Sequence, residues 1–197
     1  MKFNEVETFI YSKLQHELSE HLYYHSIYHV KDVLSAAIRI AEAEGINEED
    51  LLLLKTAVLF HDIGFTVEGK NHEEISCDIA MKELPKFGYT HDEIIKIQGM
   101  IMATKIPQKP HTLLEKIIAD ADLDYLGRDD YWDISNNLYR EINIYNLLNE
   151  EQWLKLQISF LEQHSYFTET AIKTRKEKKA KYLAELQATL LKHTTNL

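Results

Sequence analysis

Ten consecutive residues, Leu51 to Phe60 (LLLLKTAVLF), are apolar on nearly every side of a helical projection. A segment of that kind has to be buried on all faces, so other helices must surround it. Asn47 caps its start, and Glu48, Glu49 and Asp50 fill the first turn, where the helix dipole favours negative charge. His61-Asp62-Ile63-Gly64 ends it.

The flanking sequence repeats the same period. Phe3, Val6, Ile10, Leu14 and Leu18 step by three or four, as do Ile27, Val30, Leu34, Ala37, Ile38 and Ala41 before Gly45. A short loop, Phe65 to Lys70, leads to a helical pattern through Ile75, Ile79, Met81 and Leu84 that breaks at Pro85 and Gly88. Thr90-His91-Asp92-Glu93 is a capping box for a helix to about Ala103. Pro107 to Pro110 is a turn, Leu113 to Leu126 a helix ending at Gly127, and 130–147 another. Asn149 and Thr168 cap two more, the last reaching about Leu191. With three Pro and six Gly, and no convincing β alternation, repeat or low-complexity linker, the chain of 197 residues is predicted to be all-α and one domain.

Charge narrows the function. Thirty-two Asp and Glu against 22 Lys and Arg give −10, which argues against binding a nucleic-acid polymer. A small phosphorylated molecule is still allowed, because one local cation or metal overrides the global field. The single Cys77 excludes an internal disulfide framework and a multi-cysteine zinc site. No apolar run approaches the ~20 residues of a membrane span. The acidic start differs from a signal peptide, so a cytoplasmic protein is expected.

The chemistry-bearing residues form three groups. His21, His25 and His29 are spaced four apart, and on one continuous helix they would share a face, either as ligands or as an ordinary polar surface. His61 and Asp62 end the most buried helix, where both need a partner: a metal, or a salt bridge with hydrogen bonds. Asp120, Asp122 and Asp124 alternate within an apolar helix, so at least one faces inward and needs a cation or donors.

Taken in order, Tyr24-His25-Ser26-Ile27-Tyr28-His29-Val30, Ala57-Val58-Leu59-Phe60-His61-Asp62-Ile63-Gly64, His72-Glu73-Glu74-Ile75-Ser76 and Asp120-Ala121-Asp122-Leu123-Asp124-Tyr125-Leu126-Gly127 resemble the HD-domain superfamily of metal-dependent phosphohydrolases. The resemblance covers roughly 20–130. It implies an HD-type helical bundle with a helical extension over about 130–197. It also implies one divalent metal (Mn, Fe, Co, Ni or Mg) held by His29, His61, Asp62 and Asp122, with Asp120 as the rival distal aspartate. Asp62 would both bind the metal and take a proton from the attacking water. His25 would orient the site or touch substrate, and His72 stands where some relatives place a further ligand.

The helix Ile97 to Thr104 supplies no histidine, which favours a mononuclear site over a di-iron oxygenase site. One branch of the superfamily carries a general-acid glutamate three residues after the signature Asp. Phe65 occupies that position here, and Glu68 and Glu73 are the nearest carboxylates. The implied activity is hydrolysis of a small phosphorylated substrate, a nucleotide foremost; the alternative is a regulatory protein that binds metal and nucleotide without turnover.

Lys70, Lys105, Arg128 and Tyr125 lie beside these motifs and are candidates for contacting substrate, with solvated charges and a packed tyrosine as the alternatives. Lys173 to Lys181 holds six cations and one acid, either a solvated helix face or a docking surface for an acidic partner. Trp132, Trp153 and the later tyrosines are assigned to core or to a homodimer face.

Overall fold

A computed structural model describes residues 1–195, which form nine α-helices with no strand among them. They are α1 Phe3–Glu17, α2 Ile27–Ala43, α3 Glu48–Phe60, α4 His72–Glu83, α5 His91–Ala103, α6 Leu113–Asp122, α7 Tyr131–Ile142, α8 Glu150–Gln163 and α9 Glu169–Thr195. The all-α expectation holds. Among the described residues no helix is long and apolar enough to cross a membrane.

α3 is the central rod. Leu53, Leu54, Ala57, Val58, Leu59 and Phe60 are fully enclosed, with α1, α2, α5 and α6 against it. Burying side chains of this size contributes roughly 1.5–3 kcal/mol each, which is why the apolar run is placed there. The Asn47 cap accepts from the Asp50 N–H, and the capping boxes at Thr90 and Thr112 close both hydrogen bonds. A second apolar cluster joins Tyr131, Leu154, Leu161, Tyr182 and Leu186 of the later helices to Tyr24, Leu123, Tyr125 and Leu126.

Three expectations are corrected. The histidines spaced by four do not share a helix, because Ser26 is extended and α2 begins at Ile27. His21 is exposed beside Glu20 and takes no part in the site. The helix expected over Leu113 to Leu126 ends at Asp122, and Asp124–Gly127 forms a separate 3-10 turn. The turn lets the chain pass beneath α9: a Cβ on Gly127 would overlap the backbone of Arg175. The helix expected over 130–147 stops at Ile142, where the Asn143 side chain bonds both the N–H and the carbonyl of Leu148 and closes a loop.

The basic stretch of α9 divides in two: Lys173, Lys176 and Lys181 are exposed, as a solvated face expects, and the other three cations are paired within the chain. Arg175 donates to both oxygens of Asp124, Lys178 pairs with Asp129, and buried Lys179 donates to the carbonyls of Leu161 and His164 at the end of α8. Half of its cations fasten α9 to the rest of the chain.

Candidate metal centre

Three helix ends converge on one point. His61 follows the last turn of α3, His29 lies in the first turns of α2, and Asp122 closes α6. His61 Nδ1 donates to the Val58 carbonyl at 2.7 Å, one of the carbonyls a helix end leaves free, and this turns Nε2 inward as a lone pair. The turn after His61 is fixed by buried Ser76, which donates to the His61 carbonyl (2.8 Å) and accepts from the Gly64 N–H (2.9 Å). A Cβ on Gly64 would overlap the His72 carbonyl, so the close approach of α4 requires glycine there.

The donor atoms sit close together. His29 Nε2 is 3.3 Å from His61 Nε2 and 3.1 Å from Asp122 Oδ1, and His61 Nε2 is 3.5 Å from that same oxygen. Asp62 Oδ2 lies 3.2 Å from His61 Nε2 and 3.4 Å from His29 Nε2. Ligand atoms about 2.1 Å from a common centre are about 3.0–3.4 Å apart at octahedral or tetrahedral angles, so these spacings suit a shared cation. Asp62 Oδ2 is also buried without a hydrogen-bond partner, a costly state that a metal ion relieves. Two imidazole nitrogens and the Asp122 carboxylate, with ligand atoms all within 4.8 Å of one another, form a borderline donor set of the kind that holds divalent transition ions, and Asp62 Oδ2 stands beside both imidazoles. The residues present therefore fit a metal.

The electrostatics agree with that donor set. Burial opposes charge on Asp62, yet the neighbouring histidines, His61 foremost, hold its carboxyl well below the usual carboxylate range. Asp122 is likewise held down to about 2, burial being outweighed by the neighbouring His29 and His61 imidazoles. Both are carboxylates at neutral pH. Burial disfavours a charged His61, but Asp62 and Asp122 raise its pKa well above the ordinary value, so a cation of some kind is favoured between these groups.

The remaining aspartates of the α6 motif serve the fold. Asp120 accepts from the N–H groups of Phe167 and Thr168 and from the Thr168 hydroxyl, fixing the start of α9. Burial pushes its carboxyl up to about 6 in spite of those donors. Asp124 is bound by Arg39 and Arg175. All three aspartates of the motif point inward, each to a different partner, and the structure brings Asp122 rather than Asp120 to the histidines.

Around the metal cluster lies a cavity of about 160 Å³ whose lining includes His25, Asp62, His72, Glu73, Asp122 and Tyr125. Phe65 packs on both His25 and His72, with ring centroids 4.1 and 4.2 Å away, and those two rings are 6.0 Å apart. His72 Nε2 is 3.5 Å from Asp62 Oδ1 and 3.4 Å from Glu73 Oε1, beside the cluster and not within it. Tyr24 packs on His29 and against Tyr125.

Of the cations expected at the site, Arg128 is near but committed: Asp32 and Asp130 take its guanidinium, and Asp124 stands 3.6 Å away. Lys105 pairs with Glu74, and Lys70 is exposed in the loop before α4, lining none of the cavities that border the metal cluster.

Sequence reasoning missed Glu141. It accepts from His25 Nδ1 and from the backbone N–H groups of Tyr24 and His25, at 2.8 and 3.0 Å to the latter two. Burial disfavours a charged His25, yet the Glu141 hydrogen bond raises its pKa above the ordinary value. No motif surrounds Glu141, so nothing in the sequence singles it out. Leu138 and Phe160 also complete the cavity from beyond the 20–130 segment.

Comparison with known proteins agrees with this architecture. The family profile described as HD domain matches residues 26–124, half of the chain and every metal-cluster residue. No curated protein sequence is significantly similar. Among solved structures, the chain is similar to a predicted HD superfamily hydrolase from an uncultured Thermotogales bacterium, at 22% identity and a TM-score of 0.63 over 96% of this chain and 91% of that one. It is also similar to a Lactobacillus plantarum protein, at 17% identity and a TM-score of 0.67 over 99% and 96%. At those identities the likeness is one of fold, and it runs through α7, α8 and α9 as well as the matched segment. With the His-Asp pair, its partner histidine and the distal aspartate gathered at one point inside the matched segment, the chain belongs to the HD domain family.

Proposed function

We propose that the protein is a metal-dependent phosphohydrolase acting on a small phosphorylated molecule, a nucleotide foremost. The observation that carries this reading is the buried, unpartnered Asp62 Oδ2 facing His29 and His61, with Asp122 across from it, on the wall of a cavity large enough for a phosphoryl group. The similar Thermotogales protein, described as a predicted HD superfamily hydrolase, supports it.

His29, His61, Asp62 and Asp122 would hold the ion. A divalent ion there lowers the pKa of water and polarises a phosphoryl oxygen. The two oxygens of Asp62 would divide the work: Oδ2 faces the imidazoles, while Oδ1, on the His72 side, would take the proton of the attacking water. His25, whose pKa the Glu141 hydrogen bond raises against burial, faces the phosphate from the cavity wall. Phe65 holds the His25 and His72 rings in place, and Tyr24 and Tyr125 wall the metal cluster against bulk water. With Arg128 committed to carboxylates, His25 and His72 are the nitrogen-bearing groups left to meet a phosphate in this cavity.

The test is phosphate release from a panel of nucleotides and phosphodiesters with Mn, Co, Ni or Mg, comparing wild type with Asp62→Ala. Metal-dependent turnover that the variant loses is the expected result. Folded, metal-loaded protein without turnover on any substrate would overturn the hydrolase reading in favour of a binding protein.

A further inference from the structure

A second cavity, of about 320 Å³, lies between α7 and α8, a size within the range of small-molecule sites. It neighbours the metal cavity, with which it shares Tyr125, Leu138 and Phe160 in its lining. Its lining carries no charged side chain, and its walls include the rings of Tyr131 and Trp153.

One polar group in it is oriented and unspent. Gln157 Oε1 accepts from the Tyr131 hydroxyl at 3.1 Å and from the Ser135 hydroxyl at 2.7 Å. With its carbonyl committed, the amide NH2 is left with no hydrogen bond among the described residues. Gln157 keeps 8% of its surface exposed, so that NH2 is within reach of a ligand. That NH2 is not among the fully buried unpartnered atoms, so water reaches it and a ligand acceptor can take the place of that water.

We propose that this cavity is the subsite for the nucleobase of a nucleoside phosphate whose phosphate lies at the metal centre, an inference that rests on the hydrolase reading above. A planar heterocycle suits walls of tyrosine, tryptophan and phenylalanine, which favour offset or edge-on ring contacts. A ring nitrogen or exocyclic carbonyl on its edge accepts from the Gln157 NH2. The phosphate stays outside, because the cavity offers it no cation, whereas His25 and the metal ligands line the space next door. An alkyl phosphate would fill the apolar volume but leave the amide unanswered. Gln157 is therefore a specificity residue that selects substrates carrying a hydrogen-bonding base.

Trp153 lines the cavity and supplies the readout. Of the two tryptophans, Trp132 packs outside it on Tyr131 and Tyr182, so Trp132→Phe leaves Trp153 as the sole indole reporter. The full chain carrying that change is titrated, with Mn²⁺ present, with nucleosides and separately with ribose 5-phosphate, which lacks a base. Nucleosides should change the Trp153 fluorescence saturably and ribose 5-phosphate should not. Gln157→Glu, which still accepts from Tyr131 and Ser135 but has no NH2, should raise the half-saturation at least ten-fold. No saturable response to any nucleoside, an equal response to ribose 5-phosphate, or an unchanged half-saturation in Gln157→Glu would overturn the subsite. Saturable nucleoside binding without any phosphate release would sustain the subsite and retire the hydrolase, and nucleotide hydrolysis without nucleoside binding would do the reverse.

Discussion

Glu141 and His25 are 116 residues apart in sequence, yet the carboxylate of one accepts the Nδ1 proton of the other and, with its second oxygen, two backbone N–H groups of the same loop. The loop before α2 has no helical hydrogen bonds of its own at these positions, so a side chain from α7 sets where His25 points.

Glu141→Ala should therefore disturb both fold and site. Two backbone donors and an imidazole lose their acceptor together, a cost on the order of 2–3 kcal/mol for bonds to a charged group. If His25 meets substrate phosphate, KM should rise about ten-fold, the loss of one such charge-assisted contact. Melting curves and steady-state kinetics on the one variant check both, and unchanged KM would remove His25 from the substrate site.

The aspartates of the α6 motif should separate cleanly. Asp122→Ala should lower bound metal at least ten-fold, as loss of a ligand does. Asp120→Ala should keep its metal but lose about 2 kcal/mol, because three donors at the start of α9 are left without an acceptor. Metal content by elemental analysis and thermal melts on the two variants distinguish them, and metal loss in Asp120→Ala alone would exchange their roles.

His164 should make stability fall in mild acid. Burial and the nearby Lys179 ammonium hold its pKa down to about 3, whereas in the unfolded chain it titrates near 6.5. The unfolded state then binds the extra proton as pH drops below 6.5, so stability present above that value is lost towards pH 3, by up to about 1.4 kcal/mol per unit. Histidines with raised pKa, such as His25, change the balance only above 6.5. Asp120, pushed up to about 6, takes a proton in the folded state and opposes this decline below that value. The check is therefore the difference between wild type and His164→Asn, which keeps an acceptor for Lys179: the advantage of the variant should grow as pH falls from 7 to 5.

Gly127→Ala tests the docking of α9. A methyl group there overlaps the Arg175 backbone, so α9 must shift and weaken the Arg175–Asp124 pair. Overpacking of this kind costs about 1–3 kcal/mol, seen as a lower melting temperature. Gly64→Ala, which meets the His72 carbonyl beside the metal cluster, should instead reduce metal content. Equal behaviour of the two variants would contradict the separate roles assigned to these turns.

How far the sequence could be read differs from place to place. α3 was legible because a run apolar on all sides has few alternatives to burial, and the caps at Asn47 and Thr90 are local hydrogen-bond patterns written in adjacent residues. The spacing of His21, His25 and His29 misled, since periodicity assumes a continuous helix and Ser26 breaks it. The charge run in α9 was legible only in part: composition shows six cations, three of them exposed, but not the carboxylates and carbonyls that meet the other three.

By itself the sequence determined an all-helical chain built around α3, because helical period and caps are short-range chemistry, while the residues that gather at the metal centre were named by the resemblance to HD-domain proteins. Only the tertiary structure decided which aspartate of three faces the histidines. It also decided that Arg128 is spent on Asp32 and Asp130, and that Glu141, Leu138 and Phe160 come back to complete the site. Those outcomes depend on which helix ends meet, and a side chain's partner across a long loop is set by packing geometry that no local pattern encodes.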